Sequence, residues 1–180
     1  KFRVIINLMQ ISEQSEANIV SAIKEINKAK PSVLYFADSL GAMNTEDVSK
    51  CIKTIKSEWA GEIGIHTHNN LGKAVSNSIS AIENGATWID STVTGMGRGP
   101  GNSETEYMLV EMSKFSSRKY NLLPLTKIID KHFMPLKTRY KWGPNPFYYL
   151  AGKHRIHPTY IQEMLTIKMG NDEILEAIKQ

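Results

Sequence analysis

One cysteine, Cys51, is all that this chain of 180 residues offers for crosslinking. No internal disulfide is possible, so stability must come from a buried core, and that usage fits a reducing, cytoplasmic setting. Cys51 lies in Val48-Ser49-Lys50-Cys51-Ile52 with nothing nearby to activate it, which reads as a packing residue and not a nucleophile. Long apolar runs are also missing, so no segment is expected to span a membrane. Nor is there a block of Lys and Arg interleaved with aromatics. The net charge of +4 comes from scattered bases, which leaves no footprint for nucleic acid. The opening Lys1-Phe2-Arg3-Val4-Ile5-Ile6-Asn7-Leu8 has the basic end of a signal peptide but lacks its cleavage site and core length, so a first strand is expected there. The chain starts at Lys1 instead of Met, as a piece of a longer protein would.

What is present is an ordinary globular composition, 41% hydrophobic and 22% charged, with length for one well-buried domain. Four apolar runs rich in Val and Ile read as buried strands: Arg3–Met9, Val33–Ala37, Glu62–His66 and Thr87–Val93. They lack strict alternation, as strands of a parallel sheet covered on its faces do. Helical spacing follows each run, over Glu16–Lys28, Thr45–Trp59, Gly72–Asn84 and Glu104–Lys114. Thr45 is the expected cap of the second helix, and Asn102 or Ser103 of the fourth; Gly85 is the expected stop of the third. Strands recurring at the length of a βαβ unit predict a parallel α/β fold. From Tyr120 onward prolines punctuate short segments, with helices expected at Pro158–Lys168 and Asp172–Lys179. The predicted division is a parallel α/β unit over residues 1–118 and a mainly helical extension over 119–180.

In parallel α/β folds, functional groups gather where strands end. Those ends carry Asn7 and Met9, then Asp38-Ser39-Leu40-Gly41, then His66-Thr67-His68-Asn69-Asn70, then Asp90-Ser91-Thr92-Val93-Thr94 and the loop Gly95-Met96-Gly97-Arg98-Gly99-Pro100-Gly101-Asn102. His66 and His68 stand two apart and leave one face of a strand together. Two neutral imidazoles at that spacing suit a divalent metal. Taken alone, the pair is better explained by a polar strand end with two unrelated histidines. The glycine loop allows close backbone approach and precedes a helix, so a phosphate cradle and a plain turn are both open. It lacks the Gly-Lys-Ser/Thr of a P-loop and the spacing of the dinucleotide fingerprint.

Taken in order, Ala-Asp-Ser-x-Gly (Ala37 to Gly41), Gly-Ile-His-Thr-His-Asn-Asn-Leu-Gly (Gly64 to Gly72) and Ile-Asp-x-Thr-x-x-Gly-Met-Gly-x-Gly-x-Gly-Asn (Ile89 to Asn102) resemble the HMG-CoA-lyase-like, or DRE-TIM metallolyase, superfamily. The resemblance covers roughly Phe2 to Lys114 and is nearest to aldolases of 4-hydroxy-2-oxo acids. It implies a TIM barrel of which this chain holds about strands five to eight. It implies that His66 and His68 bind a divalent cation, Mn²⁺ or Mg²⁺ first, with Asn102 as a further ligand. Asp38, Ser39, Thr92 and Thr94 would line the pocket of a small 2-oxo acid. HMG-CoA lyase itself carries a catalytic Cys in the glycine loop, and this loop has none.

The resemblance also implies a first strand with an Arg-Asp pair, the Asp ligating metal and the Arg stabilising an enolate; no Arg-Asp dipeptide occurs in the chain. No catalytic base is identified; Tyr140 and Tyr148 are candidates by a looser analogy, with packing or exposure the plainer role. The expectation is therefore part of a metal-dependent aldolase, inactive alone, that pairs with a missing half-barrel or with another copy. An acyl-CoA condensing enzyme of the isopropylmalate synthase type shares these motifs, and a non-catalytic assembly module would keep them as relics.

Overall fold

A computed structural model describes residues 2–179. Four parallel strands, β1 (Ile5–Leu8), β2 (Val33–Asp38), β3 (Glu62–Thr67) and β4 (Trp88–Ile89), pair in the order β1-β2-β3-β4. The helices α1 (Glu16–Ala29), α2 (Thr45–Glu58) and α3 (Ala74–Glu83) connect them, and α4 (Thr105–Glu111) follows β4. This is the architecture of half a (β/α)8 barrel. Leu34, Phe36, Ile63 and Ile65 point to one face of the sheet and form its core with Ile19, Ile23, Val48, Ile52 and Ile55 from α1 and α2. Burying each such side chain stabilises the fold by about 1.5–3 kcal/mol.

Alternation then sends Tyr35, Ala37, Gly64 and His66 to the opposite face. Tyr35 pairs in register with Gly64, and its ring crosses that glycine. A Cβ at Gly64 would sit 2.3 Å from the ring, so only glycine leaves the ring this path. The polar residues after β2, β3 and β4 meet at one edge of the sheet.

Several boundaries differ from those the sequence predicts. The fourth strand shrinks from Thr87–Val93 to Trp88–Ile89. Thr92 instead donates its N–H to the Ser103 carbonyl at 2.9 Å, and Thr94 adopts φ 56°, which turns the chain out of the sheet. The cap of α2 is Asn44, not Thr45: its side chain accepts from Glu46 and Asp47 N–H groups while Asp47 reaches back to the Asn44 N–H. Neither Asn102 nor Ser103 caps α4, which starts after Glu104 without a side-chain cap. Gly72 and Lys73 precede α3, whose C-terminal turn closes at Gly85 (φ 97°) as expected.

The tail is more helical than the prolines suggest. It holds α5 (Leu123–Ile128), a π turn (Ile129–Phe133), α6 (Met134–Tyr140), α7 (Pro146–Lys153), α8 (Pro158–Thr166) and α9 (Asn171–Lys179). Pro135 has no N–H to give the preceding turn, and the backbone widens there. A second apolar cluster, Tyr148, Ala151, Ile161, Ile174 and Ile178, holds α7, α8 and α9 together. No helix among the described residues is long and apolar enough to cross a membrane.

Candidate metal and substrate site

The site grows from the end of β3. His66 and His68 leave the strand together, with ring centroids 5.2 Å apart and the rings edge to face. Asp90, just past β4, sits behind His66, its carboxylate oxygen 3.1 Å from Nδ1. A carboxylate there keeps the proton on Nδ1 and leaves Nε2 with a free lone pair, the arrangement that orients a metal-ligating imidazole. Burial first, then the Asp90 charge, push the Tyr35 hydroxyl up to about 12.

His68 is held neutral. Burial, then the neighbouring His66, Arg98 and His157, lower it to about 4. Its Nδ1 is buried and has no hydrogen-bond partner. A neutral imidazole with an orphaned, buried nitrogen fits a cation ligand, because a bound cation would satisfy that nitrogen. Among the described residues no group of three or more His, Cys, Asp or Glu side chains is placed to hold a metal. The histidine pair therefore fits part of a site, and a full ligand set needs more than this chain's acids.

Asn102 closes the glycine loop beside them. It bridges His68 in antiparallel fashion, its N–H donates to the Gly95 carbonyl at 3.1 Å, and its Nδ2 donates to the Met96 carbonyl at 3.2 Å. That leaves Oδ1 as the oxygen it offers a cation. The turn depends on Gly101, at φ 76°, where a Cβ would stand 2.3 Å from the Gly95 carbonyl oxygen.

The other predicted residues lie at or just after the ends of β2 and β4. Asp38 is fully buried, and its carboxylate accepts the N–H groups of Ala42 at 3.0 Å and Met43 at 3.1 Å. Burial lifts it to about 6 against the pull of those two bonds. Asp38 thus holds the turn after β2. Ser39 is buried too and accepts the Gln10 N–H at 2.9 Å. Thr92 is partly exposed, with a buried hydroxyl that lacks a partner. Thr94 is buried; its N–H donates to Glu106, and its carbonyl accepts Trp142 Nε1 at 3.0 Å and Lys137 Nζ at 3.3 Å. The tail is therefore bonded directly to the site loop. Of the two tail tyrosines, Tyr148 packs in the tail cluster and Tyr140 is 62% exposed.

Asp90, Tyr35 and Arg98 are the residues that sequence reasoning did not assign a role. Asp90 carries a signal, since it follows Ile89 in the same motif as Thr92. Tyr35 and Arg98 carry none, because their neighbours come from distant parts of the chain.

The fold is half of a (β/α)8 barrel, with the histidine pair at one edge of its sheet. The profile of the HMGL-like family matches residues 3–130, and the chain belongs to that family. A 4-hydroxy-2-oxovalerate aldolase of Bacillus thuringiensis is 36% identical over 124 residues, 68% of this chain and 36% of the relative. One from Pectobacterium atrosepticum is 31% identical over 133 residues, 72% of this chain and 39% of the relative. The chain thus spans well under half the length of these curated relatives. Among solved structures, the N-terminal domain of a candidate aldolase from Bacteroides vulgatus superposes with a TM-score of 0.85 at 33% identity, over 98% of this chain and 58% of that one. HMG-CoA lyase of Bacillus subtilis shares the fold, with a TM-score of 0.63 at 19% identity over 79% of this chain and 51% of that one.

Proposed function

We propose that this chain is part of a divalent-metal-dependent aldolase that cleaves or forms 4-hydroxy-2-oxo acids through the enolate of pyruvate. The observation that carries this reading is the pair of imidazoles at one strand end, one oriented by Asp90 and the other neutral with an unpartnered nitrogen. His66 and His68 would hold the cation, with Asn102 Oδ1 as a third donor. A cation bound there, Mn²⁺ or Mg²⁺, supplies a Lewis acid for the oxygens of a 2-oxo acid, where negative charge develops.

The chain's own residues prepare that edge. Asp90 fixes the His66 ring, and Thr92 and Thr94 would border the pocket from the end of β4. Asp38 and Ser39 hold the turns that border the pocket. Residues 1–118 would make the barrel portion, and residues 119–180 an extension that steadies the glycine loop through Trp142 and Lys137. The Arg-Asp pair of the family is absent, so the 180 residues alone are expected to be inactive, completed by a missing half-barrel or a second copy. The buried free thiol of Cys51 fits a cytoplasmic protein.

Titrating Mn²⁺ into the full-length protein and into its His66→Ala and His68→Ala variants tests the assignment. Each variant should weaken binding by at least tenfold; unchanged affinity overturns it. Release of free CoA from acetyl-CoA and a 2-oxo acid, without aldol cleavage, would replace the aldolase with a condensing enzyme.

A further inference from the structure

Beyond the histidine edge, the glycine loop and the tail enclose a cavity of about 610 Å³ lined by Arg98, Tyr140, Lys141, Tyr148 and Gln162 among others. The backbone joins its two walls: the Gly143 N–H donates to the Gly99 carbonyl at 3.0 Å. Two cations line this space and no carboxylate does. Among the described residues neither Arg98 nor Lys141 takes part in an ion pair. Arg98 also reaches the adjoining recess of about 330 Å³, where Glu163 is the one acid. The Oε1 of Gln162, which lines both spaces, is buried without a donor.

The charge of Arg98 extends into the tail as well. Burial and then Arg98 hold His157 below its usual range, and Arg98 opposes the rise that burial imposes on the Tyr148 hydroxyl. Arg98 is exposed, and it lines both spaces between the loop and the tail.

Cleaving a five-carbon 4-hydroxy-2-oxo acid between its third and fourth carbons leaves a two-carbon neutral aldehyde. Such a fragment needs neither hundreds of cubic ångströms nor two unpaired cations. We propose that this cleft binds the far end of a larger aldehyde, one that carries hydroxyl groups and ends in an anion. Arg98 and Lys141 neutralise the anion, and a ligand hydroxyl donates to Gln162 Oε1. The proposal rests on the aldolase reading for the word aldehyde, but the anion site stands on the cleft's own residues.

The test is binding, not turnover. Glycerol 3-phosphate, glycerate and glycerol are titrated calorimetrically, without metal, into the full-length protein and its Arg98→Gln and Lys141→Gln variants. One or both anions should bind and glycerol should not, and each variant should weaken the anion by about tenfold. Tighter binding of glycerol 3-phosphate assigns the anion as a phosphate, and tighter binding of glycerate as a carboxylate. Failure of both anions to bind at millimolar concentration, or equal binding by wild type and both variants, overturns the proposal. Arg98→Gln should not weaken Mn²⁺ binding. If His66→Ala and His68→Ala keep their Mn²⁺ affinity while the anion still depends on Arg98, the metal assignment falls and the cleft stands.

Discussion

Asp38 is a buried acid whose side chain frames the turn after β2. Its carboxylate is buried, receives two backbone N–H groups, and still titrates near 6, because the loss of hydration outweighs the two bonds. The sign of its effect on stability follows. An acid raised from 3.8 to about 6 on folding binds its proton more tightly in the native state. Between those pH values the native state holds more protons than the unfolded chain, so stability falls as pH rises through the window and levels above it. Two units correspond to about 3 kcal/mol at most. Asp38→Asn removes the titration while keeping one acceptor and setting an amide N–H against the second donor. Urea unfolding at several pH values should show that the slope between pH 4 and 6 flattens in the variant; an identical slope in both proteins would assign the dependence elsewhere.

Elements differ in how far their sequence announces them. The helices α1 and α2 were legible because Ile19 and Ile23, and Val48, Ile52 and Ile55, recur at helical spacing and are all buried. Their ends were less so. Thr45 and Asn44 are both good caps on paper, and only the reciprocal Asp47 bond to the Asn44 N–H selects between them. Asn44→Ala is therefore expected to cost about 1 kcal/mol of stability and Thr45→Ala much less, measured by thermal or urea unfolding; equal costs would move the cap. The short β4 was hidden for a related reason. Val93 looks like strand, yet Thr92 is drawn to Ser103 by hydrogen bonds formed across a loop. The histidine pair was legible as a motif, whereas the Asp90 contact that orients His66 comes from the end of the neighbouring strand and shows only once the two strands are paired. Helices α5 to α7 escaped notice because proline, which normally ends helices, here sits in their first turns.

At the scale of the whole molecule, the sheet has a face and two edges that the described residues leave open. The core clusters under the helices, while the opposite face carries Tyr35 and His66 in the middle and exposes Ile5 (45%) and Met9 (62%) at the β1 side. β1 pairs only with β2, so its outer backbone groups face solvent beside those apolar side chains. An unpaired edge next to exposed hydrophobic surface favours association with another strand. A sheet of four strands cannot close into a barrel of eight, which the family fold requires. The isolated 180-residue chain is therefore expected to self-associate, its molar mass rising with concentration in sedimentation velocity. Ile5→Lys places a charge on that edge and should shift the population to monomer without altering the helical circular dichroism signal. Adding the rest of the barrel as a separate chain should compete with self-association for the same edge. A wild-type chain that sediments as a sharp monomer at the highest concentration reached would show that the edge is protected by other means.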